Sequence, residues 1–328
     1  MADMNRVTYS PSMTIPLTRS CVNRCLYCGY RKEGDGLLPE RAIRELVDRA
    51  HHEGVSEILI LSGEKADRTP NVKNDLERLD MDSLVSWAQK VCEDLLKERL
   101  LPHVNMGTLD GTSLGQLREV SASMGLMLEG VNLEVNARVH PGKDIRERIK
   151  TIEKAGELKI PFTTGILMGL GEHQEDRLTG IRVLADIQRR YGHLQEVILQ
   201  RYVVNHPSQM AAEDISLEEM KALVLLCKRC LPGVSIQVPP NLEPYWESLL
   251  AVGVTDLGGM GPGSDLVNPE NPWPEVDVIA DRVARMGGVL SKRMPIYRQY
   301  YEKGWFSKKV SRVLETWIEG DDEYRYYS

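Results

Sequence analysis

Between residues 12 and 287 short apolar runs alternate with longer stretches of helical periodicity, eight times over, and few folds accept that pattern. The first unit pairs SMTIPLT (12–18) with PERAIRELVDRAHHEG (39–54), whose Ile43, Leu46, Val47 and Ala50 share one helical face and whose Gly54 supplies a stop. The later runs are 56–62, 102–107, 125–129, 160–169, 196–202, 234–240 and 254–259. Each leads into a helical stretch, at 82–99, 112–121, 143–157, 174–190, 216–231, 243–252 and 275–287. Strands joined through helices by short connections run parallel, so eight such units predict an α/β chain closed as a (βα)8 TIM-type barrel. With 328 residues and no Pro/Ser-rich linker, the chain reads as one barrel domain over 1–300 and a C-terminal helical tail over 301–328 with a polar, frayed end.

Barrels of this kind carry their chemistry on the loops after the strands' C-terminal ends. Polar and glycine-rich clusters recur at those positions. Cys21, Cys25 and Cys28 follow the first strand, Ser62, Gly63 and Glu64 the second, His103 and Asn105 lie on the third, and Glu129 ends the fourth. Gly169 and Glu172 follow the fifth, Gln200 and Arg201 the sixth, Pro240 and Asn241 the seventh, and Asp256 through Asn268 the eighth. His103 and Asn105 are two apart in a strand and so face the same side.

Six cysteines in 328 residues are too few for a disulfide framework, and three of them lie within eight positions, which points to metal binding. Counting alone admits zinc with a fourth ligand from Cys227 or Cys230. In helix 216–231, opened by Ser216 and Glu219, both of those cysteines fall on the apolar stripe with Met220, Leu223 and Val224, which makes them packing residues, as is Cys92. An iron–sulfur cube held by three cysteines instead leaves one iron open to a small-molecule ligand.

The net charge is −7 and the basic residues are dispersed among acidic ones, which predicts no nucleic-acid partner. No run approaches the ~18 apolar residues of a membrane span, and MADMNRVTYSPSM has no secretory apolar core, so a cytoplasmic protein without a membrane partner is expected.

Cys21-x3-Cys25-x2-Cys28, with Tyr27 before the last cysteine, resembles the signature of radical S-adenosylmethionine (SAM) enzymes. The resemblance implies a 4Fe-4S cluster on Cys21, Cys25 and Cys28 whose open iron chelates SAM. It also implies Tyr27 near the adenine and Ser62, Gly63 and Glu64 at the SAM amino group. Glu129 would accept from the ribose hydroxyls, being a pure acceptor. Arg148 would lie by the SAM carboxylate, and Gly165, Gly169 and Glu172 along the adenine, where missing side chains permit close approach. Without the resemblance, Arg148 reads as half of a surface helix salt bridge and Glu129 as a solvated strand end.

Longer blocks, among them LLPHVNMG, IPFTTGILMGLGE, YGHLQEVILQ, IQVPPNL and VNPENPWPEV, extend the likeness over about residues 7–300. They resemble the CofG subunit family of 7,8-didemethyl-8-hydroxy-5-deazariboflavin synthases, radical SAM lyases of deazaflavin coenzyme F(420) biosynthesis. In that family a CofH-type partner enzyme joins tyrosine to 5-amino-6-ribitylaminouracil. The CofG protein, fed by an external one-electron donor, removes hydrogen from the adduct, and ring closure with loss of ammonia follows. His103, Asn105, Thr163, Gln200, Asn241 and Asp256 would then meet the small-molecule substrate across the barrel mouth. The chain departs from the family's pattern at Gln200-Arg201-Tyr202, at Asp256-Leu257-Gly258-Gly259 and at His140-Pro141-Gly142-Lys143. Arg201 would need a substrate carboxylate, Asp256 or Asp265 as its partner, and a paralogue with another substrate stays open. A non-catalytic iron–sulfur or zinc scaffold is the reading from a different class.

Overall fold

The computed structural model describes residues 6–206, 208, 210–262, 265–320 and 324. The first half of the chain runs β1 (Arg6–Thr18), α1 (Glu40–His52), β2 (Glu57–Ser62), α2 (Pro70–Arg78), α3 (Leu84–Lys97), β3 (Leu101–Asn105), α4 (Gly111–Arg118), β4 (Ser123–Gly125), α5 (Leu133–Val139) and α6 (Ile145–Glu157). It continues with β5 (Phe162–Met168), α7 (Gln174–Tyr191), β6 (Leu194–Arg201), α8 (Leu217–Cys230), β7 (Ser235–Gln237), α9 (Trp246–Leu250), β8 (Asp256–Met260), α10 (Val276–Arg285), β9 (Val289–Lys292), α11 (Arg298–Glu302) and α12 (Lys308–Gly320). Strands β2 to β8 pair in chain order, all parallel, and β1 closes the ring by pairing with both β8 and β2. This is the eight-stranded parallel barrel of the (βα)8 class that the alternation predicts.

Side-chain parity separates two interiors. In β2, Glu57 and Leu59 face the barrel lumen, whereas Ile58 and Ile60 are fully buried between sheet and helices. The helices begin where the sequence offers caps: Ser83 accepts from Ser86 N at 3.0 Å and Ser216 from Glu219 N at 3.2 Å. Ser216 and Glu219 form the spacing of a reciprocal capping box, but it closes on one side only, because the Glu219 carboxylate turns to Arg177 instead.

Several boundaries differ from the expectations. Strand β1 begins at Arg6, its first residues pairing with the ninth strand, β9, on the side away from β8. Strand β4 is Ser123–Gly125 rather than 125–129, so Glu129 stands beyond it, bridged singly to Ile166. Helices α2 and α5 are additional; α5 is a seven-residue turn started by Asn132, whose side chain accepts from Glu134 N and Val135 N, too short to show a periodicity.

Residues after β9 close the lower end of the barrel. Pro295 O accepts from Ser123 Oγ at 2.6 Å and from Gln195 Nε2 at 2.9 Å. Below it, α11 and α12 bind the starts of the strands, through Tyr300 OH to Leu194 O at 2.8 Å and Trp317 Nε1 to Arg99 O at 2.8 Å. Val310, Leu314 and Ile318 of α12 are buried, and Tyr324 OH lies 2.9 Å from Ser56 Oγ. The frayed end expected after Gly320 lies, apart from Tyr324, outside the described residues.

Candidate active site

Cys21, Cys25 and Cys28 lie on the loop leaving β1 and line one pocket of about 150 Å3 together with Ser62, Gly63 and Glu64. Backbone contacts fix the loop: Val22 N donates to Glu64 O at 3.2 Å and Leu26 N to Val139 O at 2.9 Å. Gly63 is obligatory, since a Cβ there would stand 1.9 Å from Ser20 O. Burial pushes the Cys25 thiol up to about 11 even against the pull of Lys143, and raises Cys21 too, so a bound cation is what draws out these two thiolates. Backbone groups already face them: Arg31 N donates to Cys28 Sγ at 3.4 Å, and Asn23 and Glu64 offer theirs to Cys21.

Among the described residues no three His, Cys, Asp or Glu side chains converge as ligands of a single ion. A cubane takes each thiolate on a different iron, so its sulfurs stand apart, and the three cysteines suit a cluster better than zinc. Cys227 and Cys92 are fully buried and Cys230 packs partly buried against the core, so none supplies a fourth ligand.

A charged chain lines the same pocket. Arg148, 4% exposed, donates to Met127 O at 2.8 Å and pairs with Glu64 at 3.2 Å and Glu129 at 3.4 Å. It is a buried bridge between two carboxylates, not a surface helix pair. Glu129 also accepts from Lys143 Nζ at 2.6 Å, and Lys143 donates to Tyr27 OH at 2.8 Å. Glu64 accepts from Thr108 Oγ1 at 2.7 Å. The sequence names Lys143 only as the lysine of the departing His140-Pro141-Gly142-Lys143 segment and gives it no role; the loop brings it to Glu129.

A second cavity, of about 310 Å3, fills the barrel lumen. His103, Asn105, Thr163 and Gln200 line it, the first two together as their spacing requires. Asn105, Leu126 and Met127 line both this cavity and the cysteine pocket, so the two spaces share a wall.

Other candidates stand elsewhere. Asp256 begins β8 rather than ending it; it is fully buried at the foot of the barrel, bonded to Arg293 Nε at 2.6 Å, and does not line the cavity. Arg201 follows the inward Gln200 and therefore points outward, where it pairs with fully buried Glu243 at 3.1 Å. Asn241 braces the upper loop through Asp265 at 3.1 Å and Asn271 O at 2.9 Å. Leu257 is a core residue. Two of the departures from the family pattern do approach the site: the Tyr202 ring lies 6.2 Å and the His140 ring 5.1 Å from that of Tyr27, and the same His140–Lys143 turn brings Lys143 into the cysteine pocket. Gly165, Gly169 and Glu172 do not line the cysteine pocket either. A Cβ on Gly165 would lie 2.2 Å from Ile198 O, so glycine there serves the approach of β6, and Gly169 turns at φ +91° against Glu213. Glu172 clamps that turn, accepting from Gly169 N and Leu170 N at 2.8 Å each.

The radical SAM superfamily profile matches residues 15–183. A 7,8-didemethyl-8-hydroxy-5-deazariboflavin synthase from Methanothermobacter thermautotrophicus is 43% identical over 94% of this chain and 97% of its own length. The chain belongs to the deazariboflavin synthase family of radical SAM proteins. Another deazariboflavin synthase, from Archaeoglobus fulgidus, is 39% identical over 97% of this chain and 98% of its own. Among solved structures, the FeFe-hydrogenase maturase HydG from Carboxydothermus hydrogenoformans superimposes with a TM-score of 0.71 over 99% of this chain and 81% of that one, at 18% identity. Methylornithine synthase (PylB) does so with a TM-score of 0.68 over 92% of this chain and 87% of that one, also at 18% identity. These likenesses fix the fold alone. As in the radical SAM superfamily at large, the resident cofactors of a deazariboflavin synthase are a 4Fe-4S cluster and SAM. No helix among the described residues is long and apolar enough to cross a membrane.

Proposed function

We infer that this chain synthesises 7,8-didemethyl-8-hydroxy-5-deazariboflavin as a radical SAM enzyme of deazaflavin biosynthesis. The observation that carries the reading is the shared wall: Asn105, Leu126 and Met127 separate the three-cysteine pocket from a lumen large enough for a small molecule, in a chain of the synthase family. When bound and reduced, the cluster and SAM supply a carbon radical able to take a hydrogen atom from a C–H bond.

The chain's own residues do the rest. Cys21, Cys25 and Cys28 would hold the cluster. Glu64, Glu129 and Arg148, with Tyr27, Ser62 and Gly63, would hold SAM: the pair Glu64 and Arg148 offers both a carboxylate for an ammonium and a guanidinium for a carboxylate. The shared wall keeps the substrate's reacting carbon next to that pocket, and the closed foot of the barrel keeps water out. Asn105 and Gln200, whose carboxamides have no side-chain partner among the described residues, line the lumen and offer donor and acceptor side by side to a pyrimidinedione ring.

The substrate we assign is the adduct of tyrosine and 5-amino-6-ribitylaminouracil delivered by a separate CofH-type enzyme, with electrons from an external one-electron donor, in the cytosol, where thiols stay reduced. Residues 1–300 would form the catalytic barrel and 301–328 its support. The departures that favour a paralogue, at Arg201, Tyr202 and Leu257, all lie off the lumen wall, which supports the synthase's own substrate. Anaerobic incubation with adduct, SAM and dithionite should yield a fluorescent deazaflavin and ammonia. Cys28→Ala should yield neither while Cys227→Ala keeps both; 5'-deoxyadenosine without deazaflavin would reject the assignment.

A further inference from the structure

The foot of the lumen holds an ion cluster to which nothing so far gives a role. Arg293 reaches Asp256 at 2.6 Å, Glu196 at 3.1 Å and Glu57 at 3.9 Å. Glu57, Glu196 and Arg293 line the cavity from below; Asp256 does not. Three carboxylates surround one guanidinium, so they are not equivalent. Asp256 takes the two close contacts with Arg293, which hold its carboxyl below the usual range despite burial. Burial raises Glu196 above a usual carboxylate, with Arg293 pulling it down and Asp256 pushing it up.

Glu196 is also fully engaged. One of its oxygens accepts from Arg293 and from Tyr297 OH at 3.0 Å, and the other from Thr163 Oγ1 at 3.1 Å. Glu57 is not. Its Oε1 accepts from Ser12 Oγ at 3.0 Å, while Oε2 has no hydrogen bond among the described residues and only the loose contact with Arg293. The lumen floor therefore keeps one carboxylate oxygen open.

His103 stands beside it, one strand over and two residues up the ladder, since Glu57 pairs with Leu101 and Leu59 with His103. Its tautomer follows from the hydrogen bonds. Ser123 Oγ donates to Pro295 O at 2.6 Å, so at its 2.7 Å contact with His103 Nδ1 it must accept. Burial lowers the His103 pKa, so the ring is neutral, carries its proton on Nδ1, and turns a bare Nε2 lone pair to the cavity. Gln195 is occupied by Pro295 O and Tyr297 N, and Ser12 Oγ by Glu57. Side by side, Glu57 Oε2 and His103 Nε2 offer two acceptors and no donor.

A surface of acceptors selects a ligand of donors. A pyrimidinedione edge alternates N–H with C=O and would leave its carbonyls facing Glu57; a phenol offers one O–H on an apolar ring. A pentitol chain offers several hydroxyls on adjacent carbons, each able to donate. We propose that Glu57 and His103 form a polyol subsite that receives the ribityl chain of the deazariboflavin skeleton, with Arg293 and Glu196 as positioning residues beneath it. This assignment rests on the synthase reading and adds the orientation: ribityl chain down the barrel, rings level with Asn105 and Gln200, next to the wall shared with the cysteine pocket.

The test is a fluorescence titration of the reconstituted enzyme with 7,8-didemethyl-8-hydroxy-5-deazariboflavin and with its analogue carrying an unsubstituted pentyl chain in place of the ribityl group. The wild type should bind the ribityl compound at least about tenfold more tightly, the worth of hydrogen bonds to a charged acceptor. Glu57→Gln and, as a second variant that leaves the ion cluster whole, His103→Phe should each shrink that preference several-fold while leaving pentyl binding unchanged. Preference retained in both variants, or equal weakening of both compounds, overturns the subsite while wild-type turnover of the adduct leaves the enzyme assignment standing. A wild type that neither turns over the adduct nor binds either compound removes both.

Discussion

Lys143 Nζ lies 2.6 Å from Glu129 Oε1, joining the loop into α6 to a residue beyond the end of β4, and this contact keeps a buried carboxylate charged beside the three cysteines. Burial alone would raise the Glu129 carboxyl. Lys143 and then Arg148 outweigh it and hold the group at about 2, against an ordinary 4.5. A depressed carboxyl contributes stability that is present above its unfolded pKa and lost as pH falls toward the folded one, here between about 4.5 and 2.

The full contribution is about 3 kcal/mol by that linkage, and the stability gap between wild type and Glu129→Gln should therefore shrink by roughly 1 kcal/mol between pH 7 and pH 3.5. Urea unfolding at the two pH values measures it. A gap independent of pH would mean that Glu129 is not ionised by Lys143 and Arg148.

Arg201→Asn should act on stability and not on chemistry. Arg201 lies on the outward face of β6 with Glu243, which is fully buried, and the substitution leaves that carboxylate unpaired at a cost of about 3–5 kcal/mol. A lowered Tm with unchanged deazaflavin yield per folded molecule is the expected result. The reverse, an unchanged Tm with lost product, would return Arg201 to the substrate.

The parity that moves Arg201 outward was present in the sequence: if Gln200 faces the lumen, its neighbour cannot. The barrel itself was legible for the same reason, because strand and helix periods are local properties of the chain. Asp256 opens β8, whereas the substrate reading needs it at the strand's C-terminal end, and one strand length separates the foot of a barrel from its mouth. Glu129 escaped its strand because it adopts φ +69°, a left-handed conformation that an L residue seldom takes and no pattern announces. Glu57 has no signal in the sequence because its partner Arg293 sits beyond the last strand of the repeating pattern, and Lys143 gains no role there because only the folded loops bring it to Glu129 and Tyr27.

The C-terminal helix should matter for stability and leave catalysis alone. Leu314 of α12 is fully buried beneath the barrel, at the end opposite the cysteine loop, and Leu314→Ala should cost about 2–5 kcal/mol. Thermal unfolding reads the loss, and kcat at a temperature where both proteins are folded should match. A kcat that falls with Leu314→Ala would show that the tail communicates with the site.

Gly63→Ala separates the backbone's part in the site from that of the side chains. The added methyl would stand 1.9 Å from Ser20 O and 2.6 Å from Cys21 Cβ, far inside contact distance, and both neighbours belong to the loop that carries the first cysteine. The obstacle is backbone, which cannot swing aside as a long side chain would, so the loop between β1 and Cys21 must move. The barrel beneath has no part in that clash, and the variant should fold. Gly115→Ala, where a Cβ meets nothing within 4 Å, serves as the control and should be neutral or slightly stabilising, since it replaces glycine inside α4. After anaerobic reconstitution Gly63→Ala should hold well under half the wild-type iron and release little 5'-deoxyadenosine, with far-UV circular dichroism unchanged. Full iron content and wild-type SAM cleavage in Gly63→Ala would show that the loop tolerates the shift and that the cysteine geometry does not depend on this glycine.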